Sequence, residues 1–325
     1  MKNFIIGIDI SSKTLDICVK ESQELSHFEI ENSQKAILKF FRVYKENQVI
    51  VAMENTGRYN WNLFEVLPKF NFKIYVLNPL HLSKSLGLVR GKDDKTDAYR
   101  ICLFTEKNKE DLTLWKPTPK AIKKLKIFIT ERTSRIKMKR RLLKQQHDYK
   151  LMKDVGLDKE LAKLNKQFID QIVKQIKLIE QKIQTIINED SILKQQAKLI
   201  SSVPGVGKIL TWTMIAKTEG FTKITDPRKM ACYTGVVPFE YQSGTSVYRK
   251  PRVSMFADKP TKAVLHLGAM SAIRLNNDLR VYYLRKVNEG KNKMLVLNAV
   301  RNKIIHRIFA VIKNQEFYKN PLVLS

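Results

Sequence analysis

Phe4-Ile5-Ile6-Gly7-Ile8-Asp9-Ile10 is a short apolar run rich in β-branched residues, and it reads as a buried strand interrupted by one carboxylate. A lone carboxylate is costly to bury, so Asp9 belongs at a strand end, beside a hydrogen-bonding partner or a cation. Working outward, residues 15–19 and 25–30 read as two more strands joined by polar turns. Ile37, Leu38, Phe41 and Tyr44 stand at helical spacing behind Asn32 and Ser33 as candidate caps, which predicts a helix over 34–45. Residues 49–53 form a fourth apolar run that delivers Glu54 at its carboxyl end, where open α/β sheets place ligands. Thr56-Gly57 breaks the chain. A helix over 59–67 with Trp61, Phe64 and Leu67 inward follows, then a fifth strand over 73–77 closed by Asn78-Pro79. The order is βββαβαβ followed by a helix.

That last helix carries Lys92-Asp93-Asp94-Lys95-Thr96-Asp97-Ala98. Asp94 and Asp97, three residues apart, project from one face if the segment is helical. Lys92, Lys95 and Arg100 can neutralise the pair as a solvated charged turn. Alternatively, with Asp9 and Glu54 on separate elements, four acids converge on a metal ion.

Of the 325 residues, 60 are Lys or Arg and 31 Asp or Glu, a formal net charge of +29, and 43% are hydrophobic. That length allows two or three units with proper cores. A field of that sign draws polyanions and points to nucleic acid. The charge is uneven: residues 1–105 hold 15 basic and 12 acidic groups, and the other 220 hold 45 and 19. Cys18, Cys102 and Cys232 form no C-x-x-C pair, which argues against a zinc site or a disulfide framework and fits a reducing compartment. The amino terminus lacks the apolar core of a signal peptide, and no run of about eighteen apolar residues occurs. A cytoplasmic, nucleoid-associated protein with no membrane partner is expected.

Pro117 and Pro119 mark a first boundary. Beyond them no glycine or proline occurs before Gly156, and Ile122, Leu125, Ile129, Ile136 and Leu143 stand at heptad-like spacing, which predicts one long helix over 120–153. Ile169, Ile172, Ile176, Ile179, Ile183 and Ile186 alternate steps of three and four, the seam of a coiled coil. Residues 154–158 form the turn between two antiparallel arms. Residues 116–200 hold 22 basic and 9 acidic groups. Lys123, Lys124, Lys126, Lys137, Lys139, Arg140 and Arg141 can contact a phosphate backbone, or the arms are a soluble spacer with a charged exterior.

Ser202-Val203-Pro204-Gly205-Val206-Gly207, followed by Lys208, lies between apolar helical segments and resembles the hairpin of helix-hairpin-helix modules. Gly205 and Gly207 let backbone approach a phosphate, with helix-start amides pointing at it; a tight structural turn is the other reading. Further on, Gly235-Val236-Val237-Pro238 precedes Ser243-Gly244, and Arg249, Lys250 and Arg252 form a basic cluster suited to a phosphate or a solvated loop. Residues 261–275 and 293–313 read as helices.

The set Gly7-Ile8-Asp9-Ile10-Ser11, Met53-Glu54-Asn55-Thr56-Gly57, Asn78-Pro79 and residues 92–98 resembles the amino-terminal RuvC-like domain of the DEDD transposases of the insertion sequence 110 family. The resemblance implies a ribonuclease-H-like α/β domain over 1–115, a basic antiparallel coiled coil over 116–200 and a mainly α-helical serine-bearing domain over 201–325. It implies magnesium held by Asp9, Glu54, Asp94 and Asp97, and Ser243 as the nucleophile that becomes joined to DNA. Donor and target DNA, an element-encoded noncoding guide RNA and a homo-oligomer, dimer or tetramer, are the implied partners. The glycine that family members often carry before the next helix is missing from Val253-Ser254-Met255-Phe256-Ala257-Asp258-Lys259, which leaves Ser246 and Ser254 as lesser candidates. Gly7-Ile8-Asp9 with Ser11-Ser12-Lys13 also resembles the phosphate loop of actin-like sugar kinases, but Ile10 and Ser11 stand where such loops need glycine. A junction nuclease acting without covalent linkage and a non-catalytic nucleic-acid scaffold are the alternative functions.

Overall fold

β1 (Asn3–Ile10) is the middle strand of a five-stranded sheet in the first of two units, Met1–Pro117 and Thr118–Ser325. The computed structural model describes residues 2–85, 93–243 and 247–320, the side chains of residues 84, 241–243 and 247–250 excepted. β1 pairs antiparallel with β2 (Thr14–Glu21), which pairs antiparallel with β3 (Glu24–Glu31). After α1 (Gln34–Arg42), β4 (Gln48–Glu54) adds to the other edge of β1 in parallel. After α2 (Trp61–Val66), β5 (Lys73–Leu77) adds in parallel to β4. The order β3-β2-β1-β4-β5 is the ribonuclease-H-like arrangement expected from βββαβαβ. Two helices close the unit, α3 (Pro79–Ser85) and α4 (Asp94–Asn108).

The period-2 alternation of β1 sorts its side chains between two covered faces, which is why its sequence is a nearly unbroken apolar run. Phe4, Ile6, Ile8 and Ile10 share a core with Ile37 and Phe41 of α1 and Leu63 and Val66 of α2. Ile5, Gly7 and Asp9 take the opposite face, where α4 lies. Gly7 decides how closely: a Cβ there would stand 2.4 Å from the Ala98 carbonyl oxygen and 2.5 Å from the Cys102 amide nitrogen. The bare glycine lets the helix backbone rest on the strand. Farther along α4, Lys20 Nζ donates to both carboxylate oxygens of Glu106 at 2.7 and 2.6 Å, fixing that end of the helix to β2.

One expectation in this unit is corrected. Trp61 is 58% exposed rather than inward. Residues 57–60 form a 3-10 turn, so α2 starts only at Trp61, and its phase turns Leu63, Val66 and Leu67 to the core.

The second unit opens with two long helices, α5 (Lys120–Asp148) and α6 (Asp158–Glu189). The expected helix to residue 153 gives way at Tyr149 to 3-10 turns, and Gly156, at φ +73°, makes the left-handed turn into α6. Arg132 Nε donates to Glu180 Oε1 at 2.7 Å, and buried Asn165 donates from Nδ2 to the Leu142 carbonyl at 2.7 Å, so the two arms are held in register at both levels. Ile169, Ile179, Ile183 and Ile186 are buried, while Ile172 and Ile176 are half-buried.

The arms run at their base into the helices that follow: α7 (Ser191–Ser201), α8 (Lys208–Thr218), α9 (Pro227–Tyr233), a hairpin of β6 (Phe239–Ser243) and β7 (Val247–Arg252), then α10 (Lys259–Ala272), α11 (Asp278–Asn288) and α12 (Lys293–Asn314). Ile122 and Leu125 of α5 and Ile183 of α6 share one core with Met214 of α8, Leu265 of α10 and Ile304 of α12.

Candidate active site

The α4 face of the sheet collects acids at the carboxyl ends of β1 and β4. The parallel register ends at Ile8↔Met53, so Asp9 and Glu54 are the next residues of neighbouring strands. Neighbours in register point to the same face. α4 begins at Asp94, which places Asp94 and Asp97 in its first turn, where the positive end of the helix dipole favours carboxylates. Because Gly7 seats Ala98 directly on β1, that first turn lies beside Asp9. The electrostatics agree: burial, then the charges of Asp94, Asp97 and Glu54, push the Asp9 carboxyl up to about 6, against a lowering hydrogen bond from the Ile10 amide. Asp93 is the extended residue capping α4, exposed, and its carboxylate accepts from Thr96 Oγ1 at 3.3 Å. Asp94 and Asp97, not Asp93, are the α4 acids whose charge acts on Asp9.

The loop behind Glu54 is fixed by Asn60, which is fully buried. Its Nδ2 donates to the Glu54 carbonyl at 2.9 Å, and its Oδ1 accepts from the Thr56 amide and hydroxyl, both at 2.9 Å. Asp97 accepts from Arg100 Nη1 at 2.8 Å.

A fifth acid is not marked by the sequence pattern. Asp16 is directly across from Asp9 in the β1–β2 register, and only 6% exposed. Burial, then Glu29, Asp94 and Asp93, raise its carboxyl against a lowering influence from Lys95. The signal is the hairpin itself: once Ile10 pairs with Leu15, Asp9 must pair with Asp16.

An all-carboxylate donor set suits a hard divalent cation rather than zinc or copper, and a buried carboxylate whose protonation is raised by burial and neighbouring acids, as Asp9 is, needs either its proton or a cation beside it. The residues therefore fit a divalent metal in kind. Among the described residues no three such side chains stand together in ligand geometry.

In the second unit, Ser243 ends β6, paired with Val247 across the residues 244–246. The side chains of Ser243, Arg249 and Lys250, and the whole of Ser246, lie outside the described residues. Arg252 is exposed opposite Phe239, and Ser254 Oγ accepts from the Phe256 amide at 3.2 Å in a local turn. Gly235 stands at φ +66° where a Cβ would be 2.5 Å from Ala257 Cβ.

The basic residues of α5 do not make a single face. Lys139, Arg140 and Arg141 are consecutive, so they point about 100° apart, and with exposed Lys124 and Lys137 and half-buried Lys123 they ring the helix. Lys126 and Lys137 border a cleft of about 710 Å³ between α5 and α8, where Lys126 Nζ pairs with Glu219 at 2.7 Å above a floor that includes Ile129 and Trp212. The two hairpin glycines differ. Gly205, at φ +81°, is packed so tightly that a Cβ would be 2.3 Å from the Gly268 carbonyl, a structural need. Gly207 is exposed with nothing within 4 Å of a Cβ, and it precedes exposed Lys208 at the start of α8.

Two family models match this chain. The DEDD transposase model of IS110 matches residues 6–151, and the model described as "Transposase IS116/IS110/IS902 family" matches residues 197–284. A pilin gene-inverting protein of Moraxella bovis is 25% identical, over 98% of this chain and 99% of its own length. An insertion element IS110 protein of 43.6 kDa from Streptomyces coelicolor is 23% identical over 38% of this chain and 30% of its own length. Among solved structures, Thermus thermophilus RuvC bound to a Holliday junction aligns with 34% of this chain and 99% of its own at 14% identity, with a TM-score of 0.28.

Proposed function

We propose, from the premise that this chain belongs to the IS110 family of transposases, that it cuts and rejoins DNA with two devices: Asp9, Glu54, Asp94 and Asp97 as ligands of magnesium, and Ser243 as the attacking group. The chain is a DNA transposase/recombinase; the proposal concerns how it works. One observation carries it. Burial and then the charges of three acids, Asp94 and Asp97 of α4 and Glu54 of β4, act on Asp9, on the sheet face where the strands end. Magnesium bound there would supply charge neutralisation at a phosphate.

Ser243 Oγ attacks the phosphorus of a DNA phosphodiester, the bond from phosphorus to one sugar oxygen breaks, the serine proton passes to a base and the leaving oxygen takes up a proton. The phosphoserine ester keeps the bond energy, and attack by a second strand's hydroxyl reverses the step. A serine hydroxyl is a poor nucleophile unless a base or a positive field activates it. The excess of Lys and Arg beyond residue 105 supports the grip on DNA and, as the family implies, on an element-encoded noncoding guide RNA. Lys123, Lys124, Lys137, Lys139, Arg140 and Arg141 serve that grip in a coiled coil whose isoleucine seam also joins two copies, with Gly207 and Lys208 at a helix-hairpin-helix-like turn and Arg249, Lys250 and Arg252 beside the serine.

The test incubates the purified chain with end-labelled DNA spanning an element junction, co-purified RNA and magnesium, and looks for a protein–DNA adduct on a denaturing gel. Ser243→Ala is expected to bind DNA with unchanged affinity and form no adduct. Asp9→Asn, Glu54→Gln and Asp97→Asn are expected to lose cleavage by at least about 100-fold with binding intact. An adduct that survives Ser243→Ala removes the serine from the mechanism, and cleavage without any adduct in the wild type makes the chain a hydrolytic nuclease instead.

A further inference from the structure

Arg301, on α12, is 6% exposed, yet among the described residues no carboxylate pairs with it. Its Nη1 donates to Asn298 Oδ1 at 3.0 Å and its Nη2 to His266 Nδ1 at 2.7 Å, while its Nε is buried with no partner. A guanidinium has only donors, so His266 Nδ1 must accept, and the imidazole proton is confined to Nε2. Lys262, one turn before His266 on α10, adds a second cation. Its Nζ donates to the Gly235 carbonyl at 2.7 Å, and Asn298 Nδ2 donates to the Val236 carbonyl at 2.6 Å. Lys262 and His266 are half-buried, so the group opens to solvent on their side.

Protein interiors rarely hold a cation without an anion, because desolvation goes uncompensated. Here three cationic or proton-donating side chains meet with none among the described residues. Burial lowers the proton affinity of all three, and Arg301 lowers that of Lys262 and His266 further. Such an arrangement is unfavourable in the free chain and is relieved by an anion that accepts several hydrogen bonds.

We infer that Lys262, His266 and Arg301, with Asn298 holding the 235–237 backbone, form a binding site for a phosphodiester of the DNA. The donors match the chemistry: a phosphodiester has one negative charge and two unesterified oxygens, and the open side of the site offers Lys262 Nζ and His266 Nε2–H with the buried charge of Arg301 behind them. The 235–237 segment leads within two residues into β6, so an occupied site fixes the base of that hairpin. The inference rests on DNA as partner and not on Ser243 as nucleophile.

Two measurements on the full chain test it. Melting temperature is followed as inorganic phosphate replaces chloride at constant ionic strength, and DNA affinity is followed across a salt series. The wild type is expected to gain thermal stability from phosphate, and Arg301→Gln and Lys262→Met to lose most of that gain while Arg301→Lys keeps part of it. In the salt series each of the two disabling variants is expected to bind about tenfold more weakly or worse, with a log–log slope less negative by about 0.9 for the one phosphate no longer neutralised. Lys262→Met, at the solvent side, keeps the test informative if Arg301→Gln does not fold. Ser243→Ala is expected to respond to phosphate as the wild type does, which separates failure here from failure of the serine reading. An equal phosphate gain in wild type, Arg301→Gln and Lys262→Met, or unchanged salt slopes in both variants, would overturn the inference.

Discussion

Asp9 holds its proton to about 6 against an ordinary value of 3.8, because burial and then Asp94, Asp97 and Glu54 disfavour its charge in the folded chain. The folded state therefore binds that proton more tightly than the unfolded one, so the contribution to stability is fully present below about pH 4 and is lost as pH rises through about 6. Without divalent metal, the melting temperature of the wild type is expected to fall relative to Asp9→Asn across that window. Calorimetry of both proteins in chelator, at several pH values, reads the difference. Adding magnesium near neutral pH is expected to raise the wild-type midpoint and to leave Asp9→Asn nearly unmoved; a parallel response of the two proteins would remove the charge crowding. Asp9 and the three acids whose charge acts on it are legible in the sequence because each interrupts or ends a patterned segment: Asp9 an apolar run, Glu54 a strand end, Asp94 and Asp97 a step of three. Asp16 is not, since it sits in a strand whose partner becomes known only with the β1–β2 register.

At the scale of elements, the acids are assembled by α4, and α4 is seated by Gly7. Alanine at residue 7 puts a methyl 2.4–2.5 Å from backbone atoms of Ala98 and Cys102, which cannot swing aside as a side chain can. The helix must lift. Gly7→Ala is expected to cost about 1–3 kcal/mol in urea unfolding and to reduce cleavage by about 100-fold or more, because a shift of about 1 Å in a catalytic group has effects of that size. A variant that cuts normally would mean that the close approach does not position Asp94 and Asp97. The central strands and the two long helices are readable because β1 and β4 are apolar runs covered on both faces, while the helices carry a three-and-four apolar step. The β6–β7 hairpin gives a weaker signal: Pro251 falls inside β7, and the pairing shifts between Phe239 and Tyr241. α11 escapes notice for a related reason, since only Leu279 is buried while Val281 and Leu284 are 51% and 47% exposed.

For the whole molecule the governing feature is where the charge lies. Met1–Pro117 carries 18 basic and 15 acidic groups, and Thr118–Ser325 carries 42 and 16, so the unit with the acids is nearly neutral and the other holds almost all the excess. Near-neutrality in the first keeps like charge from being added to a face that already crowds carboxylates, while the second can neutralise phosphates. Which lysines and arginines do so is not written in composition, because a solvated helix also carries basic residues on every side, and α5 does. A salt series separates the two roles. Reversing exposed Lys124, Lys137, Arg140 and Arg141 to glutamate removes side chains that contribute little to the core, so the fold and its melting temperature are expected to persist. If those residues meet phosphates, the slope of log affinity against log salt becomes less negative by about 2–4, near 0.9 for each phosphate that is no longer neutralised, and binding at physiological salt falls by orders of magnitude. Cleavage of DNA already bound, followed in a single turnover at low salt, is expected to continue, because the carboxylates of the first unit are untouched. An unchanged slope would make the long arms a spacer and leave the grip to α8, the β6–β7 hairpin and the site around Arg301.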